Sequence, residues 1–499
     1  MLFNSHLFIF VFLPLVLLGF HLCSRFGGAR GATVWLVLAS LFFYGCWSLR
    51  DLALIVILTL FNYLIGVVQA QSHATTGKGS LRFMWLGLVV DLGVLAYCKY
   101  AGFFVDTLAS LSRAKWHFMM IALPLGISFY TFQKIAYVVD AYRGRTKGVK
   151  FLDFCLFVTF FPQLIAGPIN HHAEMIPQFR GLGRRFDAGD LAVGLTIFTF
   201  GLAKKLLIAD HLAAISDNAY SAITHGVLPG ALDAWLAALA FTVQIYFDFS
   251  GYSDMAVGLA RMFGLRLPLN FASPLKSHDF SEFWQRWHIT LSRFLREYLY
   301  ASLGGNRIGN ARRYFNVWLT MVLSGLWHGA AWTYVIWGAL HGAMLVINHG
   351  WRSWRKARSG NRGKLAPSWW SMPATFLLFA LSLVIFRAPT LTAAGGMFAA
   401  MAGAGVHSRV ESLWLAVLVP TSTALWSVAL GLFLVFAVPD TMRLLAVTDP
   451  VLDGAAVLAP VPGWLSWRPN TAWAAVTAVL AIACLFLLDQ PVPFIYFQF

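Results

Sequence analysis

The chain has 499 residues, 59% of them hydrophobic and only 12% charged, with a mean hydropathy of +0.68; soluble domains carry about 25% charged residues, so a soluble globular protein is excluded. The formal net charge of +16 does not indicate nucleic acid: the basic residues cluster in short loops between apolar runs, and from Ala388 onward three basic residues face five acidic ones. Five scattered cysteines with no C-x-x-C spacing read as packing residues rather than disulfides or metal ligands.

Apolar runs of about twenty residues, the length that crosses a hydrocarbon core of about 30 Å, recur along the chain. The first, MLFNSHLFIFVFLPLVLLGFHLC, has no basic leader and no small-residue cleavage site, so it reads as a span rather than a signal peptide. Arg25 and Arg30 follow it, which by the positive-inside rule places the N-terminus outside the cytoplasm. Further spans are predicted at 32–48, 52–70, 83–98, 118–140, 190–208, 232–262, 372–387, 412–437 and 471–489, after a first at 5–22. Hydrocarbon does not tolerate open sheet edges, so the fold class is an all-α polytopic integral membrane protein. We expect about 10–12 transmembrane helices plus re-entrant or broken helices around a central cavity, forming a single domain over 1–499 with a core at 83–390 and further spans and a tail at 391–499.

Two apolar stretches do not fit simple crossing. Residues 151–169 lie between basic loops and contain Pro162, Gly167 and Pro168, which predicts a broken, re-entrant element. Residues 316–348 are likewise flanked by basic residues on both sides, which predicts a pair of short helices or a bent hairpin with His328 near its middle. Between them, 264–315 is the longest polar stretch and is assigned to the cytoplasm. Its segment 279–300 has helical periodicity, and at 100° per residue His288 falls at the edge of the apolar stripe, facing inward.

The hairpin stretch, SGLWHGAAWTYVIWGALHG, holds two histidines, His328 and His341. An ionisable ring in a membrane-buried segment is by default a functional candidate. On one straight helix the two would stand about 20 Å apart along the axis, which argues against a shared metal. His328 is flanked by Gly325 and Gly329, and Trp327 and Trp332 are candidates to wall a dry pocket around it. A neutral imidazole there suits a general base that takes a proton from a hydroxyl. The competing reading is a packed histidine bonded to a carbonyl. His288 is assigned either to polarising an acyl carbonyl or to orienting His328, the alternative being a core-facing ring at a helix edge. Lys276, Arg307, Arg312 and Arg313 lie on the same cytoplasmic side, where they can attract donor phosphates or an acidic carrier protein; a solvated, topology-setting loop is the plainer reading. No G-x-S-x-G, Walker or H-E-x-x-H signature is present.

Together, LPLGISFYTFQKIAYVVDAYRG (123–144), FFPQLIAGPI (160–169), QIYFDFSGYSDMAVGLARMFG (244–264), the 279–300 segment with LGGNR (303–307), and SGLWHGAAWTYVIWGALHG resemble the membrane-bound O-acyltransferase family, in particular its bacterial alginate O-acetyltransferase-like branch. The resemblance implies transfer of an acyl group, usually acetyl, from a cytoplasmic thioester toward hydroxyls of an exported polysaccharide. It carries the essential histidine onto His328 and the upstream polar partner onto His288. Asp91 departs from it, since relatives tend to have Asn there. The C-terminal F-x-Y-x-x-F (Phe494, Tyr496, Phe499) resembles a tail motif of bacterial envelope acylation systems, in which the tyrosine carries the acyl group; an interfacial aromatic anchor is the other reading.

These features imply no bound cofactor, acetyl-CoA or another acyl thioester as donor substrate, and a bacterial inner-membrane location with both termini periplasmic. They also imply a separate periplasmic esterase-like acetyltransferase as partner, working with an exopolysaccharide synthesis and export complex. The alternative from another class is a polysaccharide or lipid-linked sugar transporter, because broken helices with buried polar groups also mark transport paths. The chain shows no half-to-half similarity that would favour it.

Overall fold

The computed structural model describes residues 1–112, 122–183, 187–307, 309–358, 368–404, 420–452, 454, 458–459, 461–488 and 492–495. Among the described residues there are helices and no strands. Five helices among these residues are long and apolar enough to cross a membrane: Leu7–Gly45, Leu49–Thr76, Leu81–Ser112, Ala188–Thr224 and Ala231–Met262. Four shorter apolar helices follow at Ser371–Arg387, Leu391–Ala404, Thr421–Ala437 and Thr471–Leu485. The chain forms two compact units, one from Met1–Leu202, Tyr252–Leu269 and Leu445–Phe497, the other built on Ala203–Gly251 and Asn270–Leu444.

In the first unit the two predicted N-terminal spans are the arms of one hairpin. Leu7–Gly45 reverses at Gly28, whose φ of 59° combined with a ψ of −155° suits only a residue without a Cβ, and the Trp35 indole on the second arm donates to the Val16 carbonyl on the first at 2.9 Å. Phe8, Phe12 and Phe43 of this hairpin meet Phe161, with ring centroids 5.4–6.2 Å from it. Phe161 lies just past the break in the 151–169 element: a nine-residue helix, Phe151–Thr159, stops at Phe160, and a single turn restarts at Phe161–Leu164 with Pro162 in its first positions. The Phe161 N–H freed by the break is taken by the Ser40 hydroxyl at 3.1 Å. A nine-residue helix is too short to cross a bilayer, so this stretch is the broken element that its prolines predict.

One predicted span is corrected. Residues 118–140 do not form a continuous helix, since the helix begins only at Ile127; residues 113–121 lie outside the described residues. Pro124 and Gly126 delay it. Gly126 has a φ of 71° and would place any Cβ 3.0 Å from the Ile165 backbone. Asp91, the departure from the family pattern, is buried and accepts a 2.9 Å hydrogen bond from Asn62, which ties the helix Leu81–Leu95 to Leu49–Thr76.

In the second unit, residues 310–358 form a helical hairpin, Asn310–His328 and Trp332–Arg358, which is the second of the two forms the sequence suggested, a pair of short helices or a bent hairpin. The arms touch backbone to backbone. A Cβ on Gly325 would lie 2.2 Å from the Tyr334 carbonyl oxygen, and one on Gly338 2.4 Å from that of Met321. Neither carbonyl can swing aside without breaking its helix. Gly338→Val therefore costs about 1–3 kcal/mol through overpacking, measurable as an earlier thermal unfolding midpoint of the detergent-solubilised protein. A midpoint equal to wild type would show that the arms are not held by this contact.

Candidate active site

The hairpin ends its first arm on His328. Gly329 turns extended, with φ −166° and ψ 152°, and the second arm starts three residues later. The imidazole is 2% exposed. It lies among three aromatic rings, all edge-on, with centroids 4.9 Å from Trp327, 5.3 Å from Trp337 and 5.6 Å from Phe386. Of the two tryptophans proposed for the wall, Trp327 neighbours the imidazole and Trp332 is 50% exposed; Trp337, five residues on and buried, also packs against the ring.

His341 follows Trp337 by one helical turn. Its Nε2 pairs with the Ser382 hydroxyl at 2.9 Å, and its ring centroid is 4.5 Å from that of Trp337. The two histidines thus pack on the same indole, and the 20 Å separation expected on a straight helix is overturned by the hairpin. Among the described residues there is no cluster of three or more His, Cys, Asp or Glu suited to a metal ion.

The segment 279–300 is not one helix. It runs as Phe280–Arg286, breaks, and resumes at Ile289–Phe294. His288 sits in the break with φ 44° and ψ 53°, a left-handed conformation unusual for a residue with a side chain. Asn270 compensates for the interruption. Its carbonyl takes the Ile289 N–H at 3.0 Å, while its Oδ1 takes the Thr290 hydroxyl at 2.9 Å and lies 3.1 Å from His288 Nδ1. A side-chain oxygen that already accepts from a hydroxyl acts as acceptor toward the ring too, so His288 Nδ1 carries the hydrogen and Nε2 the lone pair.

His288 is fully buried, and desolvation pushes its pKa down from 6.5 to about 3, so it is neutral near pH 7. This tautomer does not suit polarisation of a carbonyl, which needs an N–H at Nε2; it suits an orienting acceptor. The ring packs edge-on to Phe249, with centroids 4.8 Å apart, and its centroid is 6.1 Å from that of Trp327, so Trp327 neighbours both His288 and His328. Phe249 is itself held beside an ion cluster, in which Lys205 Nζ lies 2.7 Å from both Asp248 and Asp210.

The backbone at His288 shapes the test of its role. Alanine in a left-handed position adds strain of about 1–2 kcal/mol unrelated to chemistry, whereas Asn and Gly tolerate that conformation. His288→Gly is expected to slow acyl transfer roughly 10–100-fold, the rate equivalent of about 1.4–2.7 kcal/mol of lost orientation. His288→Asn is expected to retain more activity than His288→Gly. Equal rates for the two variants and wild type would return His288 to a packing role.

The four cations proposed for the donor have different local settings. Lys276 ends a 3-10 turn and donates to the Val438 carbonyl at 3.0 Å, and partial burial lowers its pKa. Arg307 and Arg312 are exposed, Arg312 lying over Phe315 at 5.5 Å and Arg313 over Tyr314 at 4.9 Å. These three arginines flank the start of the first hairpin arm. In the first unit, Phe494 of the tail motif is 1% exposed and meets Tyr252 edge-on at 4.8 Å. Tyr252 in turn stacks on Phe3 at 5.1 Å, and Asn4 donates to the Val492 carbonyl at 3.3 Å. Phe494 is therefore seated in protein rather than at a lipid interface. Tyr496 and Phe499 lie outside the described residues.

Sequence reasoning missed Asn270, Trp337 and Phe386. Asn270 had a signal, a lone amide in the apolar run LRLPLNF; Trp337 had one too, four residues before His341 on the same helix face.

A helical membrane protein with an imidazole caged at the bend of a buried hairpin, and a second neutral imidazole beside the same tryptophan, has the features of a proton-transferring membrane enzyme. The family model for membrane-bound O-acyltransferases matches residues 82–386, and the chain belongs to that family. It is 40% identical to a probable alginate O-acetylase of Pseudomonas putida over the full length of both chains. It is 45% identical to a probable alginate O-acetylase of Azotobacter vinelandii, over 80% of this chain and 78% of the relative. A peptidoglycan O-acetyltransferase of Helicobacter pylori is 39% identical, over 81% and 80% of the two chains. The chain is thus an acyltransferase, and the transport alternative finds no support.

Proposed function

We propose that the protein transfers acetyl groups from a cytoplasmic thioester, acetyl-CoA, toward hydroxyls of an exported polysaccharide, with His328 as the base. The observation that carries the reading is the burial of His328 among Trp327, Trp337 and Phe386, inside the region that the acyltransferase family shares. In this scheme His328 takes the proton of an attacking hydroxyl, the new C–O bond forms at the thioester carbonyl, the C–S bond breaks, and the departing thiolate recovers the proton from the imidazolium. His288 Nε2 orients the reacting groups. The buried aromatic cage excludes water, which would otherwise hydrolyse the donor.

The first acceptor is the Tyr496 hydroxyl. A phenol with a pKa of about 10 is easier to deprotonate than a sugar hydroxyl, and its ester is the more reactive. A periplasmic esterase-like partner then moves the acetyl to the polymer, so the acyl group crosses the bacterial inner membrane while the donor stays behind. Both chain termini face the periplasm in this arrangement. Alginate is the first polymer to test because the relatives similar over their whole length are probable alginate O-acetylases, with peptidoglycan next.

The experiment is loss and restoration. Deleting the gene in its host is expected to remove acetyl esters from one exported polymer, and the intact gene to restore them; unchanged ester content in every exported polymer would contradict the proposal. Donor attraction is tested separately. Neutralising Arg307, Arg312 and Arg313 together is expected to raise KM for acetyl-CoA several-fold in a salt-sensitive way, with kcat preserved. A KM that matches wild type across ionic strengths would leave these arginines as topology-setting residues. Lys276, held on Val438, is expected to contribute little.

A further inference from the structure

The indole N–H of Trp337 is buried and has no hydrogen-bond partner among the described residues. Indole is a donor only, and buried donors in native proteins are nearly always satisfied, so a persistent exception calls for a functional explanation. The ring is also firmly placed. It is bordered by His328 at 5.3 Å, His341 at 4.5 Å, Phe386 at 5.1 Å and Trp284 at 6.0 Å. Its neighbour in sequence, Gly338, is the residue whose backbone meets the opposite arm. Trp337 thus satisfies two requirements of an electrostatic catalyst: a donor whose desolvation is already complete, and a position fixed before the reaction begins.

Resting on the assignment of His328 as base, we propose that Trp337 is a further catalytic residue whose Nε1–H donates to the carbonyl oxygen of the acyl thioester and stabilises the oxyanion formed on attack. As the hydroxyl oxygen bonds to the carbonyl carbon and His328 takes its proton, the carbonyl π pair moves onto oxygen, where the indole N–H holds it. When the intermediate collapses, that pair reforms the carbonyl, the C–S bond breaks, and the thiolate takes the proton from His328. Trp337 keeps its own hydrogen throughout. Ser324, one helical turn before His328, also has a buried hydroxyl without a partner among the described residues and can supply a second donor.

The test replaces Trp337 with 3-benzothienylalanine, which keeps the bicyclic ring and exchanges only the N–H for sulfur. Acetyl transfer from acetyl-CoA by the full-length protein is measured beside His328→Ala and Trp337→Phe, together with each protein's thermal unfolding midpoint. The expected result is a kcat lowered about 10²–10³-fold, the effect of removing one oxyanion donor, with KM for acetyl-CoA and the unfolding midpoint unchanged. A wild-type kcat in the benzothienyl protein beside an inactive His328→Ala would overturn the oxyanion role while leaving the base in place. In that case a lower midpoint in Trp337→Phe would mark Trp337 as packing only. If His328→Ala itself were fully active, the base assignment and this inference would both be overturned.

Discussion

His328→Ala is expected to reduce polymer acetylation by about 10²–10⁴-fold, the usual effect of losing a positioned general base, while the protein still inserts in the membrane and accumulates normally. The structure supports a separation between chemistry and folding at this position. His328 is the last residue of its helix arm, so its truncation leaves the Gly325–Gly338 backbone contact that joins the arms untouched. The opened space is bordered by Trp327, Trp337 and Phe386, which close it off from solvent. Acetyl content of the exported polymer, measured at matched protein levels in the membrane fraction, decides the matter. Near-normal acetylation would remove His328 from the mechanism.

Tyr496→Phe is expected to have an effect nearly as large, because it deletes one oxygen and leaves the aromatic tail intact. Phe494, two residues earlier, is seated against Tyr252 with Phe3 stacked behind it, and the substitution leaves those residues unchanged. A relay through that hydroxyl predicts loss of polymer acetylation with unchanged protein level. Wild-type acetylation would eliminate the relay and leave the motif as a docking element. Phe494→Ala provides the contrast: it is expected to loosen the tail's seat against Tyr252, which shows as faster proteolysis of the C-terminal peptide, and to lower acetylation only partially.

The fold was legible in the sequence where one physical constraint acts alone. Hydrocarbon thickness sets the span lengths, and the runs at 52–70 and 232–262 correspond to Leu49–Thr76 and Ala231–Met262. Pro162 marked the break of the 151–169 element because it cannot continue the preceding ladder. The reading weakened where tertiary contacts override local pattern. At 279–300 the hydrophobic stripe is continuous, yet the helix breaks at His288, because Asn270, eighteen residues upstream, supplies the hydrogen bonds that the interrupted helix would otherwise make. Periodicity carries no information about a partner that distant. The same limit explains the tryptophans: on one straight helix Trp332 and His328 share a side, but the reversal at Gly329 turns Trp332 outward and brings Trp337 against the imidazole.

The most direct measurement follows a labelled acetyl group from acetyl-CoA onto the purified full-length protein in lipid vesicles, by mass spectrometry of its C-terminal peptide. The account predicts an ester on Tyr496 in the wild type, none in Tyr496→Phe, and formation slowed about 10²-fold or more in His328→Ala. Equal labelling of Tyr496 in the wild type and His328→Ala would contradict the claim that His328 drives the transfer.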